Sequence, residues 1–163
     1  MTGPRAPLAE ACLLALWLGA ALFFAVAVAP AAFDVLPDSA LAGALVGRVL
    51  PPLFFAGALC GLVVLAIELR DRRSGRGVRA GGAVVMVAAC AVAQLVLGAR
   101  IARLRSAVDR PIAQLAPDDA RRVAFGRLHG LSVASLGAAM LGAGAVLASA
   151  ARGPRTPGER RGA

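Results

Sequence analysis

Four stretches of the chain carry no aspartate, glutamate, lysine, arginine or histidine: 11–33, 49–67, 80–99 and 130–151. Together they make up about half of the chain. An α-helix rises ~1.5 Å per residue, so about 20 residues cross ~30 Å of hydrocarbon. An arginine at the centre of such a helix would cost ~2.5–3.5 kcal/mol. Four clean windows in a chain with 18 basic and nine acidic residues are therefore a selected pattern. Period-two alternation is absent, which leaves helices as the spanning solution. The pattern predicts an all-α, four-helix transmembrane bundle, with spans near 9–33, 49–68, 80–100 and 128–151, forming one membrane domain over 1–151.

The segments between the spans add detail. Pro37-Asp38-Ser39-Ala40 and Pro117-Asp118-Asp119-Ala120 each stand shortly before a span. Asp and Ser after Pro cap free backbone N–H groups, so the second and fourth helices should start near Asp38 and Asp118. The two stretches lie half a chain apart, which is consistent with a duplicated hairpin or with recurrent capping alone. Ile101, Leu104, Val108, Ile112 and Leu115 recur at helical spacing. They suggest an amphipathic extension of the third span along the headgroups, or a helix packed on its own bundle, with Pro111 bending or ending it. Gly153–Ala163, with three glycines, two prolines and three arginines, reads as a disordered basic tail.

Composition agrees with this picture and removes alternatives. The chain is 59% hydrophobic with 19 further glycines, well above a soluble domain and far from disorder. All 18 basic residues are arginine, against nine acids, giving +9. Nucleic-acid binding is not the reading, because the arginines stand between apolar runs without interleaved aromatics. They fit membrane flanks and anionic lipid. The first apolar run far exceeds a signal-peptide core, so it is read as a retained span. Ten arginines fall on the side of both termini and eight on the other. The first hairpin decides the orientation, with five arginines in 68–79 against one in 34–48. Both termini are expected in the cytoplasm of a bacterial cell, with the chain multi-pass in the inner membrane.

Candidate chemistry is sparse. His129, the only histidine, has Ser132 at i+3 and Phe125 at i−4. It could relay protons, bind a metal or contact a ligand, or simply sit at the interface bonded to a carbonyl or headgroup. One histidine cannot ligate a haem from both sides. Gln94 lies in the third span on a stripe with Cys90 and Gly98. Interhelical hydrogen bonding is the favoured role, over a substrate contact. Trp17 lies too deep for an aromatic belt, and its indole N–H needs a partner, either Gln94 or a backbone carbonyl. Pro30 is expected to kink or end the first helix. Gly57 and Gly61, and Ala15 and Gly19, are small pairs that let helices approach. Glu10, Asp34 and Glu68 look like boundary charges, with Glu10 offsetting Arg5. Cys12, Cys60 and Cys90 show no metal-ligand spacing, and no catalytic motif is present. No cofactor and no enzymatic activity are expected.

Trp17-Leu18-Gly19, Phe23-Phe24, Ala29-Pro30, Phe33, Gly47-Arg48, Phe54, Phe125, Leu128-His129 and Ser132 together resemble the transmembrane protein 205-like family. The resemblance extends over roughly Leu8–Ser149. It departs from the pattern at Ala134 and Ser135, where an asparagine often stands. It implies a bacterial four-helix membrane domain without an agreed activity. A more distant likeness is to copper-resistance membrane domains, which rely on several histidines or methionines where this chain has one and three. The expected function is a membrane scaffold or partner-binding subunit, as a homo-oligomer or with other membrane proteins in the lipid bilayer. The alternatives are a small dimeric transporter and a metal- or haem-handling redox protein.

Overall fold

The computed structural model describes residues 5–70, 76–109 and 111–151. Nearly all of them are helical, and no strand occurs among them. Helix α1 runs as Arg5–Phe23, a π-helical turn Phe24–Val28, and Ala29–Val35. Helix α2 is Ser39–Arg70. Helix α3 comprises Arg76–Ala91, a second π-helical segment Val92–Gly98, and Ala99–Ser106. Helix α4 is Ala120–Ala151. Each is long and apolar enough to cross a membrane. The expected tail, and Arg72 and Arg73 of the 68–79 connection, lie outside the described residues.

The helices form an up-down-up-down bundle in which α2 packs on α1 and α3, and α4 packs on α3 and closes back on α1. The buried positions reveal how they meet. Regular runs of them are Glu10, Leu14, Trp17, Ala21 and Phe24 in α1; Ala83, Met86, Cys90, Ala93 and Leu97 in α3; Ser132, Leu136, Ala139, Ala143 and Val146 in α4, with Gly82 and Gly142 buried beside the last two. Along each of these three runs the spacing alternates between 3 and 4. A 3.5-residue repeat is shorter than the 3.6 of an undistorted helix, so the seams wrap left-handed, as in most membrane bundles. Away from the seams the helices are equally apolar, and large side chains such as Leu16, Phe23, Leu59 and Leu141 point outward. Lipid tails are no less apolar than leucine, so burial does not drive this packing; close contact does.

Glycine supplies that contact. A Cβ on Gly82 would stand 2.7 Å from the Gly142 carbonyl oxygen, and one on Gly142 would stand 2.5 Å from the Gly82 carbonyl oxygen. The α3 and α4 backbones therefore touch at one glycine pair. Gly61 similarly admits Val87 and the Ala83 carbonyl between α2 and α3, in the role expected of the Gly57/Gly61 pair. Gly19 has nothing within 4 Å and Ala15 is exposed, so that pair faces outward.

The helix starts follow the capping logic, with one adjustment. Asp38 Oδ1 accepts the Ala40 N–H at 2.8 Å. In α4 the cap is Asp119, whose Oδ1 accepts the Arg121 N–H at 2.8 Å, and not Asp118. Aligning the two Pro-Asp stretches pairs Asp38 with Asp118, yet the capping residues are Asp38 and Asp119. That mismatch favours recurrent capping over duplication. The extension beyond the third span is shorter than expected. Helix α3 stops at Ser106, and after Pro111 only a single 3-10 turn, Ile112–Gln114, forms. Ile112 and Leu115 are buried on the bundle, so these apolar residues serve the core and do not line a headgroup helix. The Leu115 carbonyl accepts from Arg122 Nη1 at 2.6 Å, tying the loop to α4.

Pro30 does not end α1. The helix continues to Val35, and the π turn Phe24–Val28 ends two residues before the proline. Proline lacks an N–H and its ring crowds the carbonyl one turn back; a widened turn relieves both.

Candidate functional site

Among the described residues three polar constellations stand out, one at each end of the bundle and one at its middle. At the end shared by the start of α1, the end of α2 and the start of α3, Arg79 holds two carboxylates. Its Nη2 donates to Glu10 Oε1 and its Nε to Glu68 Oε1, both at 2.5 Å. The Glu10 side chain is only 5% exposed. These acids are therefore not loose boundary charges. Glu10 is joined to a cation far along the chain, and one guanidinium pins three helices together. Sequence reasoning misses Arg79. Its only signal is an arginine one residue before an apolar window, a placement shared with Arg48.

At the middle, Trp17 lies against the backbone of α2. Its Nε1 donates to the Leu53 carbonyl at 2.9 Å, so a backbone acceptor and not Gln94 satisfies the indole. One turn further along α2, a Cβ on Gly57 would stand 2.7 Å from Trp17 Cε2 and Cζ2 and 2.9 Å from Cys90 Sγ. Gly57 is thus the point where α1, α2 and α3 converge, with the ring seated on bare backbone. Gln94 is half-buried in the second π segment, at the edge of the seam formed by Cys90, Ala93 and Leu97. Its amide makes no hydrogen bond to another described residue, contrary to the interhelical bond expected. The widened ladder brings the Ala93 carbonyl to 3.4 Å from where a Cβ of Gly98 would stand.

At the opposite end, Arg105 of α3 reaches across to both α2 and α4. Its guanidinium packs on Gly43 and Gly47, donates from Nη2 to the Gly43 carbonyl at 3.4 Å, and lies 5.4 Å from the Phe125 ring centroid. Phe125 in turn stacks on His129, with centroids 6.2 Å apart and planes 9° from parallel. The result is a cation–aromatic–imidazole stack. The structure therefore brings Phe125 and His129 together, and adds Arg105. Ser132 is buried in the α4 seam while His129 is exposed, so the two do not form one polar site. Asp119 beside this end is held down to about 2 by its hydrogen bonds from Arg121. Among the described residues no group of three or more histidines, cysteines or acids could hold a metal.

Four apolar helices, seams of small residues and polar clusters at the two ends define a multi-pass membrane protein. Residues 12–109, more than half of the chain, match the model of a domain of unknown function, DUF4149, and the chain belongs to that family. The matched segment contains Trp17, Pro30, Arg79, Gln94 and Arg105 and stops before Phe125, His129 and Ser132. No curated protein and no solved structure matches the chain.

Proposed function

We propose that the protein is a non-enzymatic scaffold or partner-binding subunit of the bacterial inner membrane, acting as a homo-oligomer whose copies meet through α4. One observation carries this reading. Gly126, Gly130, Gly137 and Gly144 each have nothing within 4 Å of a Cβ position. Their spacings of 4, 7 and 7 return to one line at 3.6 residues per turn. That line runs opposite the buried seam of Ser132, Leu136, Ala139, Ala143 and Val146. Val133 and Leu141 stand exposed beside it, so a smooth groove is bordered by two apolar ridges. In lipid, small residues at such spacing are what let a second helix approach closely. The resemblance to the transmembrane protein 205-like family and the placing of both termini in the cytoplasm belong to the same reading. Transport through Gln94, Ser132 and His129 has less support, since these residues occupy a seam edge, a seam and an exposed end.

Cross-linking of the full chain in native membranes tests the proposal. Wild type should give a dimeric species that Gly130→Leu and Gly137→Leu abolish and that Gly19→Leu, on the outward face of α1, leaves intact. A wild-type chain that stays monomeric, or a Gly130→Leu chain that cross-links equally well, overturns it.

A further inference from the structure

An open groove of about 590 Å³ runs between the end of α3 and the start of α4. Arg100, Arg127 and Asp118 line it, with Val123, Ala124 and Leu128 as apolar wall. Neither arginine makes an ion pair or hydrogen bond with another described residue. The same holds for Asp118. Two guanidinium groups facing one groove repel each other, and an anion between them removes that repulsion and takes charge-assisted hydrogen bonds. With one aspartate present the groove carries a net +1, which a single phosphodiester would neutralise.

Depth identifies the source of that phosphate. Arg100 directly follows the charge-free run 80–99, and Arg127 stands just before the run 130–151. Both guanidinium groups therefore lie where hydrocarbon gives way to headgroups. One helical turn toward the hydrocarbon from each arginine stands an exposed apolar side chain, Val96 below Arg100 and Leu131 below Arg127. Together they continue the groove as a track for an acyl chain. We infer that this groove binds the headgroup of one anionic phospholipid, its phosphate held between Arg100 and Arg127. A headgroup that carries hydroxyl donors also gives Asp118 a partner, whereas a zwitterionic lipid would leave the groove with its excess positive charge.

The test is native mass spectrometry on the full chain, titrated with phosphatidylglycerol, phosphatidylethanolamine or inorganic phosphate. Phosphatidylglycerol should bind about tenfold more tightly than phosphatidylethanolamine. Arg100→Gln/Arg127→Gln should lose about tenfold in phosphatidylglycerol affinity, the effect of removing charge-assisted contacts. Arg100→Lys/Arg127→Lys should keep most of it, and Arg48→Gln, a charge loss away from the groove, should bind as wild type. Unchanged emission of Trp17 certifies the fold of each variant, and the single glutamine variants serve if the double one does not assemble. Equal affinity for the two lipids, undiminished binding by the glutamine variants, or displacement of phosphatidylglycerol by millimolar inorganic phosphate overturns the inference, the last by showing a free-phosphate site.

Discussion

Gly57→Ala should unseat Trp17 and destabilise the bundle where three helices meet. The new methyl would enter 2.7 Å from two indole carbons and 2.9 Å from Cys90 Sγ, well inside contact distance on both sides. Overpacking of this kind costs about 1–3 kcal/mol. If the ring slides away from α2, the 2.9 Å bond to the Leu53 carbonyl is lost as well, for about 1 kcal/mol. Alanine favours helix over glycine by about 1 kcal/mol, which offsets part of this. The net expectation is a loss of about 1–3 kcal/mol, or roughly 5- to 150-fold in the unfolding equilibrium. Trp17 is the only tryptophan, so its emission during SDS-induced unfolding in mixed micelles reports both the local environment and the transition. Gly57→Ala should shift the folded-state emission and move the midpoint to lower SDS. Gly19→Ala, with open space at its Cβ position, should do neither. A Gly57→Ala chain with wild-type emission and midpoint would show that the indole does not lie on α2, and the convergence of α1, α2 and α3 at Gly57 would fall with it.

Further outcomes follow from the other contacts. Gly82→Ala should lower the same midpoint, because its Cβ meets the Gly142 carbonyl, while the neighbouring Gly81→Ala, with nothing within 4 Å, should leave it unchanged or raise it. Arg79→Ala should cost about 3–5 kcal/mol by leaving the Glu10 carboxylate buried without its cation, and Glu10→Gln in the same chain should recover part of that loss. Asp119→Ala should speed amide hydrogen exchange at Arg121 through loss of the cap. With its carboxyl depressed to about 2, Asp119 contributes its capping in full above the ordinary carboxylate value and loses it as pH falls through about 2. Exchange at Arg121, corrected for its intrinsic pH dependence, should therefore show constant protection from pH 7 to pH 4. A rise in exchange already near pH 4 would contradict the ion pair with Arg121.

The four helices were legible because lipid forbids charge over a fixed length, and that rule writes itself into the sequence as four windows. The helix starts at Ser39 and Ala120 were legible for a chemical reason, since Asp caps read locally. Which face of each helix turns inward was not. In a soluble protein the buried stripe is the apolar one; here Leu16 and Leu14 are equally apolar and only Leu14 is buried. The seam instead mixes large apolar side chains with small and polar residues such as Ala21, Gly82, Ser132 and Glu10, and its spacing becomes visible once burial is known. The polar clusters were harder still. Glu10–Arg79 and Arg105–Phe125 join distant parts of the chain, and nothing local to Arg79 or Arg105 distinguishes them from the other flanking arginines. Trp17 was readable halfway, since burial of an indole demands an acceptor but does not say which carbonyl supplies it.

Glu10 and Arg79 meet at one level, and from there the π segments starting at Phe24 and Val92 lie almost equally far along α1 and α3. These two helices run in the same direction, so their wide turns lie at a common depth of about 20 Å from the ion pair. A π turn holds one residue more than the α-helix needs while keeping the flanking segments in place. Each of these helices therefore carries a spare residue at a defined position. Removing Val26 or Val96 should close the turn into regular helix with both flanks still facing their partners. Removing Ala15 or Ala88 would rotate the following turns by about 100° and take the seam out of register. The depth of the wide turns is thus where the chain can change length without changing fold.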